Sequence, residues 1–300
     1  MLDIRIETFL TLCEEQSYTK TAKRLCITQP AVSQHIRFLE NHFGVKLFSY
    51  KHRTLTLTRP GERFREFAML SRADWDREYK EMRGYSQKEE MVFGATLTIG
   101  EYVMPKLLER VIDRFPDVTL SMLVDNTQTL LQKLSSGEIS FAIIEGLFDR
   151  NQYATYVFAP AEFVAVCGAM HPFATGQVSY DELCKERLVI REPGSGTRNV
   201  LEQALILQNR SIDEFAERIV IGNMNAIKAL VSRGIGITFL YLDAVDKELA
   251  DGSLARIDLD GFEVKRDYHF VFLKGSHFEK EYLSFLACCQ EECIGPQGTE

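Results

Sequence analysis

Hydrophobic residues return every three or four positions in three successive segments at the start of the chain. This spacing predicts three amphipathic helices, over residues 3–15, 18–25 and 29–43. Ser17 and Thr28 stand where N-cap hydroxyls are expected, Pro30 lies in the first turn of the third helix, and Gly44 follows its end. Because residues 26–27 allow only a tight turn, the second and third helices are predicted to form a helix-turn-helix.

After Gly44 the pattern changes to a period of two residues. Residues 45–48 precede a polar, basic stretch, and residues 54–58 alternate threonine with leucine. This pattern predicts a pair of strands around a basic tip, which is a wing. Residues 1–58 are therefore predicted to form an all-α-dominated winged helix-turn-helix head, a class of domain that binds double-stranded DNA.

A long helix is predicted next, from residue 59 to about residue 85. Large side chains recur along one stripe of this helix, which contains Phe64, Phe67, Ser71, Trp75 and Met82. Such a stripe needs a partner, and the favoured partner is a helix from a second copy of the chain, although packing on the chain's own body would also cover it. A polar stretch follows and predicts a hinge, so residues 59–88 are interpreted as a linker and dimerisation segment.

From residue 92 onward, strand-like and helix-like segments alternate, which predicts an α/β body with a largely parallel sheet. The first strands are predicted at 92–99, 118–124 and 141–145, with helices at 105–115 and 127–135. A second set is predicted to place strands at 163–167, 188–191, 219–221 and 236–240, with helices at 198–207 and 226–232. A late strand at 268–273 and a closing helix at 279–291 complete the body, residues 89–300.

The formal net charge of the chain is −8, which by itself argues against a nucleic-acid binder. Its distribution changes that picture. Residues 1–60 carry nine Lys and Arg against five Asp and Glu, whereas the other 240 residues carry 26 against 38. A basic head on an acidic body is the asymmetry expected of a DNA-binding domain joined to a separate domain that does not bind DNA.

The seven cysteines stand at scattered spacings without a Cys-x-x-Cys pair, which predicts reduced thiols. They supply no recognisable set of metal ligands, and neither a metal nor a cofactor is expected. The start of the chain carries charges that a signal peptide would lack, and no apolar run is long enough to cross a bilayer. The chain is therefore expected to be cytoplasmic and to have no membrane partner.

Three motifs in the head match a known family. They are Gln-Pro-Ala-Val-Ser at 29–33, Gly-Val-x-Leu-Phe at 44–48 and Leu-Thr-x-x-Gly at 57–61. The head resembles the DNA-binding domain of LysR-type transcriptional regulators. The resemblance implies a homodimer or homotetramer that also contacts RNA polymerase. It further implies a periplasmic-binding-protein-like body, in which two α/β subdomains clasp a small-molecule effector, with subdomain I at about 89–161 plus 267–300 and subdomain II at about 162–266.

A recognition helix presents its first residues to the base edges of the major groove. Here those positions carry small or amide side chains: Gln29 and Gln34 suit adenine edges, and Ala31 suits a thymine methyl group. Hydroxyl and basic side chains nearby are placed to hold phosphates. The predicted DNA-binding residues are Thr19, Lys20, Thr28, Gln29, Pro30, Ala31, Ser33, Gln34, Arg37, Lys51 and Arg53.

Residues 191–198 read Arg-Glu-Pro-Gly-Ser-Gly-Thr-Arg, a glycine-rich turn that leads into a helix. Free N–H groups and two hydroxyls make such a turn a ready anion site, although the hydroxyls could serve only as helix caps. Arg191 and Arg198 could add positive charge or could simply pair with Glu192 and Glu202. The family resemblance places Thr98 opposite this turn, and the effector is expected to be an anion. The predicted effector contacts are Thr98, Gly100, Glu101, Asn126, Gly194, Ser195, Gly196, Thr197 and Asn223.

Three other classes of protein compete with this interpretation. An enzyme finds little support, because the six histidines are dispersed and the chain has neither a Gly-x-Ser-x-Gly elbow nor a phosphate loop ending in Gly-Lys-Ser/Thr. No catalytic residue is therefore predicted. A non-regulatory small-molecule-binding protein would not need residues 1–60. A redox-responsive regulator stays open through Cys167 and Cys184, although nothing around them predicts a lowered thiol pKa.

Overall fold

A computed structural model describes residues 3–51, 54–82 and 89–291 of the chain. By its internal contacts the chain divides into two compact units. The first unit holds residues 1–87 with the short segments 135–138 and 273–278, and the second holds residues 88–134, 139–272 and 279–300. Within the described residues, no helix is long and apolar enough to cross a membrane.

The three predicted helices of the head are confirmed to within one residue. They are α1 (Ile4–Glu15), α2 (Tyr18–Arg24) and α3 (Gln29–Phe43). The Ser17 and Thr28 hydroxyls accept hydrogen bonds from backbone N–H groups in the first turns of α2 and α3, as N-caps do. Gly44 ends α3 with a φ of 66°, a left-handed conformation in which glycine meets no steric penalty.

The predicted wing is also present, as an antiparallel hairpin of β1 (Phe48–Lys51) and β2 (Thr54–Leu57). Its first strand begins at Phe48, three residues later than the sequence pattern predicts. The reason is the buried side chain of Glu40. One carboxylate oxygen of Glu40 accepts a hydrogen bond from the backbone N–H of Leu47 at 3.0 Å, and the other accepts one from Lys46 Nζ at 2.6 Å. These bonds tie the segment before β1 to α3 instead of to a neighbouring strand.

The long helix α4 (Arg59–Met82) follows the wing, and the predicted end near residue 85 lies outside the described residues. Gly61 in its first turn packs directly on the backbone of Leu47, where an added Cβ would lie 2.0 Å from the carbonyl oxygen. The second half of α4 contacts the short segments of its own unit. Arg72 Nη2 donates to Ser135 O at 3.0 Å, and Ser276 Oγ donates to Asp74 Oδ1 at 3.0 Å.

The rest of the chain alternates strands and helices as predicted. The strands are β3 (Glu89–Thr96), β4 (Val118–Asp125), β5 (Phe141–Ile144), β6 (Tyr153–Gly168), β7 (Gln177–Val178), β8 (Arg187–Ile190), β9 (Glu217–Val220), β10 (Thr238–Tyr241), β11 (Leu254–Arg256), β12 (Asp258–Leu259) and β13 (Val264–Leu273). The helices are α5 (Met104–Arg114), α6 (Thr127–Ser136), α7 (Tyr180–Leu183), α8 (Gly196–Leu207), α9 (Met224–Ser232), α10 (Leu242–Ala250) and α11 (Glu279–Gln290). The elements β7, α7, α10, β11 and β12 are absent from the sequence-based prediction.

The main sheet has the strand order β10-β6-β13-β5-β3-β4, and β11 also pairs with β6. The predicted parallel pairing holds for β3 with β4, β3 with β5, and β8 with β9. It is wrong for β6 and β13, which pair antiparallel with β10 and β5. These strands of 16 and 10 residues contain the predicted subdomain boundaries at 161/162 and 266/267, so both boundaries fall within continuous strands.

One further difference concerns the end of β3. The strand ends at Thr96, three residues before its predicted end. Residues 97–98 are already helical, and Ile99–Val103 forms a π-helical turn that leads into α5. Thr98 therefore lies in this early turn rather than on the strand, and it is completely buried.

Candidate functional site

The polar residues at the start of α3 lie together on its outer side. Gln29, Pro30, Gln34 and Arg37 are exposed, and Ala31 and Ser33 are half-buried. The opposite side of α3 packs into the head through the buried residues Val32, Ile36 and Leu39. The Nε2 of Gln29 donates a hydrogen bond to Ser33 Oγ at 3.0 Å, which orients the amide over the first turn. The sequence-predicted base-reading residues thus share one solvent-facing surface.

The residues predicted to hold phosphates have mixed outcomes. Thr19 and Lys20 are exposed at the start of α2. The hydroxyl of Thr28 already caps α3, accepting from Ala31 N at 3.3 Å. Arg53 lies outside the described residues, as does the side chain of Lys51.

Ion pairs decide which cations of the head remain available. Arg24 pairs with Glu14 and Glu15 at 2.7 and 3.0 Å, and Lys46 pairs with Glu40 at 2.6 Å. In the described part of the head, Lys20 and Arg37 form no ion pair. These two exposed charges flank the polar surface of α3 and are free to attract a polyanion.

A second candidate site lies in the other compact unit. Because β3, β4 and β5 run parallel, their carboxyl ends meet at one edge of the sheet, which is where open α/β sheets usually bind ligands. Thr98, Asn126 and Glu145 follow these three strands. Arg191 follows β8, and Tyr241 ends β10.

Glu145 is the centre of this site, since its side chain is buried with only 1% of its surface exposed. Its Oε1 accepts a hydrogen bond from Thr197 Oγ1 at 2.6 Å. Its Oε2 has no hydrogen-bond partner among the described residues. Burial raises the pKa of Glu145 above its ordinary value of 4.5, and this rise persists although Thr197, Thr98 and the positive charge of Arg191 favour the ionised form.

Three other buried polar groups surround this carboxylate without a partner in the described residues. They are the Nη1 of Arg191, the phenol of Tyr241 and the hydroxyl of Thr98, which stabilises the ionised carboxyl without forming a hydrogen bond of ordinary geometry. Burial and the charge of Glu145 both raise the pKa of Tyr241, so its hydroxyl keeps its proton. We call Thr98, Glu145, Arg191, Thr197 and Tyr241 the Glu145 cluster.

Glycines allow the elements of the cluster to approach each other. A Cβ on Gly196 would lie 2.6 Å from the carbonyl oxygen of Glu145 and 2.8 Å from Thr127 Oγ1. A Cβ on Gly146 would lie 2.8 Å from the Cα of Gly196. The start of α8 therefore packs backbone to backbone on the segment after β5, which is how Thr197 reaches Glu145. Gly194 has a φ of 90° and forms the turn before α8.

The glycine-rich turn does not offer the free anion site that its sequence suggests. Ser195 is the N-cap of α8 and accepts from Arg198 N at 3.5 Å, while Thr197 is committed to Glu145. The alternative expectation for the arginines is confirmed, because Arg191 pairs with Glu192 and Arg198 pairs with Glu202, both at 2.8 Å.

The remaining predicted effector residues divide between structural and exposed positions. Asn126 and Asn223 each accept a backbone hydrogen bond at 2.9 Å and so cap α6 and α9. Gly100 is buried, and a Cβ there would lie 2.7 Å from Val124, which makes it a packing residue. Glu101 and Asn223 are exposed.

The residues of the predicted dimerisation stripe of α4 lie in two different environments. The ring of Phe64 lies 4.7 Å from that of Phe9 and 4.9 Å from that of Phe43, so its partners belong to its own head rather than to a second copy. Phe67, Trp75 and Met82 are 61%, 41% and 70% exposed, and Ser71 between them is half-buried.

Sequence reasoning missed Glu145 and Tyr241, and it treated Arg191 only as a possible charge. Glu145 carried one usable signal, because it directly follows the apolar strand Phe141–Ile144 and precedes Gly146. A carboxylate at the carboxyl end of a parallel strand is a plausible site residue. Tyr241 carried no such signal, since its environment depends on strands far apart in sequence.

Comparison with known proteins gives concordant matches over both units. The family model described as "Bacterial regulatory helix-turn-helix protein, lysR family" matches residues 5–62, and "LysR substrate binding domain" matches residues 86–294. The chain is 27% identical over 272 residues to the HTH-type transcriptional regulator CysL of Bacillus subtilis (strain 168), covering 89% of each chain. It is 30% identical over 275 residues to the HTH-type transcriptional regulator CfxR of Cupriavidus necator, covering 90% of this chain and 84% of that protein. Its fold is similar to that of a full-length OxyR variant from Pseudomonas aeruginosa, with a TM-score of 0.60, 21% identity, and coverage of 95% of this chain and 93% of that one.

Proposed function

The chain belongs to the LysR family of bacterial transcriptional regulators, and on that premise we propose that α3 reads operator DNA while a small polar effector binds at the Glu145 cluster. The observation that carries the proposal is the contrast between the two sites. α3 presents exposed amides beside unpaired cations, and the cluster holds buried polar groups without partners.

In the head, Gln29, Gln34 and Ala31 contact base edges, and Lys20 and Arg37 hold the flanking phosphates. Thr19, Ser33 and the exposed ring of Pro30 complete the surface that faces the groove. Lys51 and Arg53, in and beside the wing, are proposed to hold the DNA backbone on the other side of that groove. Thr28 acts chiefly by fixing the start of α3 through its cap.

In the body, the effector acts by binding one arrangement of the regulator more tightly than another, since no ligand can shift an equilibrium otherwise. Thr98 and Glu145 come from one predicted subdomain, and Arg191, Thr197 and Tyr241 come from the other. A ligand that bonds both sets changes the free energy of holding the subdomains together. Residues 59–88 carry that change to the heads.

We further propose that two copies join through the exposed side chains of α4, namely Phe67, Trp75 and Met82, with Ser71 between them. Isolated exposed aromatic residues are common, but three large side chains at helical spacing form the stripe that a partner helix covers. A homodimer places two recognition helices on the two halves of a palindrome, and a homotetramer joins two such pairs. The regulator is proposed to act in the cytoplasm, to contact RNA polymerase and to catalyse no reaction.

A redox-responsive mechanism is the weaker candidate. Burial raises the pKa of Cys167 to about 11, and burial also raises the pKa of Cys184. A raised pKa lowers the thiolate fraction at neutral pH, and the thiolate is the species that oxidants attack. Neither cysteine therefore has the activated thiol that a redox sensor needs.

The test uses the full chain and a DNA site selected by the wild-type protein from a randomised library. Its affinity for that DNA is measured with and without a panel of small polar metabolites. The double variant Ser195→Ala, Thr197→Ala should bind the DNA as the wild type does but should lose the response. Thr175→Ala, at an exposed position, is the matched control and should keep both. A response that survives the double substitution contradicts the assigned effector site, and a wild type that selects no DNA contradicts the proposed function.

A further inference from the structure

We propose that the effector must bring an O–H or N–H donor to Glu145, so that the Glu145 cluster binds small donor-bearing ligands such as hydroxy acids, amino acids or hydrogen phosphate and rejects anions without a donor. The inference rests on the proposed function, because it assigns chemistry to the effector of that same site. It makes Glu145 a specificity-determining residue.

The first step is the half-satisfied carboxylate. Glu145 Oε1 is bonded to Thr197, and its backbone carbonyl is bonded to Thr127 Oγ1 at 3.0 Å. Its Oε2 is buried and has no hydrogen bond of ordinary geometry in the described residues, where the Thr98 hydroxyl is the donor close enough to lower the pKa of the carboxyl. Leaving a charged acceptor buried without a donor costs more than leaving a neutral one. A ligand that donates to Oε2 therefore gains binding energy that a purely accepting ligand cannot obtain.

The second step concerns the groups around that oxygen. The Tyr241 hydroxyl and the Nη1 of Arg191 are buried, can each donate a hydrogen bond and have no partner in the described residues, while the buried Thr98 hydroxyl faces the carboxyl without a hydrogen bond of ordinary geometry. A matching ligand must therefore accept as well as donate. Hydroxy acids, amino acids and hydrogen phosphate combine acceptor oxygens with at least one donor, and they are small enough to contact a cluster of five side chains.

The third step is the charge balance. The two arginines at the ends of the glycine-rich turn are committed to acidic partners, Arg191 to Glu192 and Arg198 to Glu202. Arg191, whose charge acts on Glu145, is thus already balanced by Glu192, while Arg266, which has no ion pair in the described residues, acts on Tyr241. The charge of a donor-free anion in contact with Glu145 is therefore poorly offset. Such an anion meets a carboxylate without a proton between them, and the two repel each other.

A proton between Glu145 and the ligand removes this repulsion, and it can come from either side. A donor-bearing ligand supplies it as its own O–H or N–H. A donor-free anion binds only when the carboxyl has taken up a proton. The groups that face Glu145 are Thr98, Thr127, Thr197, Arg191, Tyr241 and Tyr268, and none of these can release a proton at neutral pH, since burial keeps both phenols protonated. Once Glu145 is ionised, the affinity for a donor-free anion should therefore fall about tenfold per pH unit.

The experiment measures the melting temperature and, by calorimetry, the dissociation constant of the full chain with matched probes. Hydrogen phosphate is compared with sulfate, and glycolate with acetate, at constant ionic strength over a rising series of pH values, and the preference is measured where the carboxyl is ionised. The donor-bearing probe of each pair should bind at least about tenfold more tightly. Glu145→Gln should abolish this preference, because its amide NH₂ donates to the acceptor oxygens of either probe while its carbonyl still accepts from Thr197. Glu263→Gln, at an exposed position, is the control and should leave the order unchanged.

Each other outcome overturns the inference. Equal binding of sulfate and hydrogen phosphate that Glu145→Gln leaves unchanged means that the carboxylate does not select the ligand, although a small-molecule site, and with it the proposed function, would stand. Absence of binding by every donor-bearing probe would mean that ordered water, rather than a ligand, satisfies the hydrogen bonds of these buried groups. DNA affinity is measured in parallel on the same samples. A wild type that does not bind its selected DNA would count against the proposed function itself.

Discussion

The recognition helix α3 and the Glu145 cluster use polar side chains in opposite ways. The amides and Arg37 of α3 and Lys20 of α2 lie in solvent, and Lys20 and Arg37 have no ion-pair partner in the described part of the head. In the cluster the polar groups are buried, and the charged side chains that border it are paired. The first surface suits a large polyanion that brings its own charge, and the second suits a small ligand that must satisfy each buried atom.

This difference teaches where each site obtains its selectivity. DNA affinity on α3 comes largely from charge and depends strongly on salt, while base contacts add specificity. In the cluster, a ligand with one misplaced donor or acceptor leaves a buried group unsatisfied, so hydrogen-bond geometry decides. Substitutions can therefore distinguish the two sites, because one set should weaken DNA binding and the other should change ligand selectivity.

Gly61→Ala should have the largest effect and should act on the head alone. The new Cβ would lie 2.0 Å from the carbonyl oxygen of Leu47, so β1 or the start of α4 must move, at a cost of about 3 kcal/mol or more. DNA binding should be lost, while the binding of small probes by the body should persist. Gly44→Ala is the control, because its φ of 66° is strained but its surroundings are open, and it should cost about 1 kcal/mol. Equal losses in the two variants would contradict the packing argument.

Gln29→Ala and Arg37→Ala should separate reading from holding on α3. Loss of the Gln29 amide should weaken the preferred site by about 1–3 kcal/mol and relax the preference at one base position. Loss of the Arg37 charge should weaken all DNA sequences alike and reduce the slope of log affinity against log salt by about 1. Titrations of preferred and scrambled DNA at several salt concentrations distinguish these results, and each variant serves as the control for the other. A uniform loss for Gln29→Ala would contradict its role in reading bases.

Glu145→Gln should change how stability depends on pH. Between pH 4.5 and the raised pKa of Glu145, the folded chain holds a proton that the unfolded chain has released, so the free energy of unfolding falls as pH rises. The fall is at most about 1.4 kcal/mol per pH unit for one group. The variant should lose this component of the slope and become more stable than the wild type above the window. Denaturant unfolding at a series of pH values measures this slope. If the free energy of unfolding of Glu145→Gln depends on pH just as that of the control Glu263→Gln does, the burial of an ionisable Glu145 is contradicted.

Ser195→Ala alone should have the smallest effect, about 1 kcal/mol, because the hydroxyl caps α8 but makes no bond to Glu145. Urea unfolding of the full chain measures this cost. The same substitution should leave the donor preference of the Glu145 cluster intact. A loss of that preference in the single variant would mean that Ser195 contacts the ligand directly.

The sequence predicted the head better than the body, and the reason is the range of the interactions involved. The caps at Ser17 and Thr28 and the turn at Gly44 join residues within four positions, so local chemistry decides them. The strands β6 and β13 are buried along much of their length and therefore lack a clear alternation. Their antiparallel pairing and their passage through both predicted subdomains could not be predicted from the local pattern.

What the sequence by itself determined is the order of the elements in the head, the polar surface of α3 and the glycine-rich turn before α8, because each depends on spacing along one segment. Only the tertiary structure decided what that turn contacts. Glu145 and Thr197 are 52 positions apart and meet because Gly146 and Gly196 let two backbones approach closely. The burial that raises the pKa of Glu145, and that leaves the Nη1 of Arg191 and the phenol of Tyr241 without a hydrogen bond in the described residues, comes from strands that are distant in the chain. Such desolvation depends on the whole packed environment, so no local pattern encodes it.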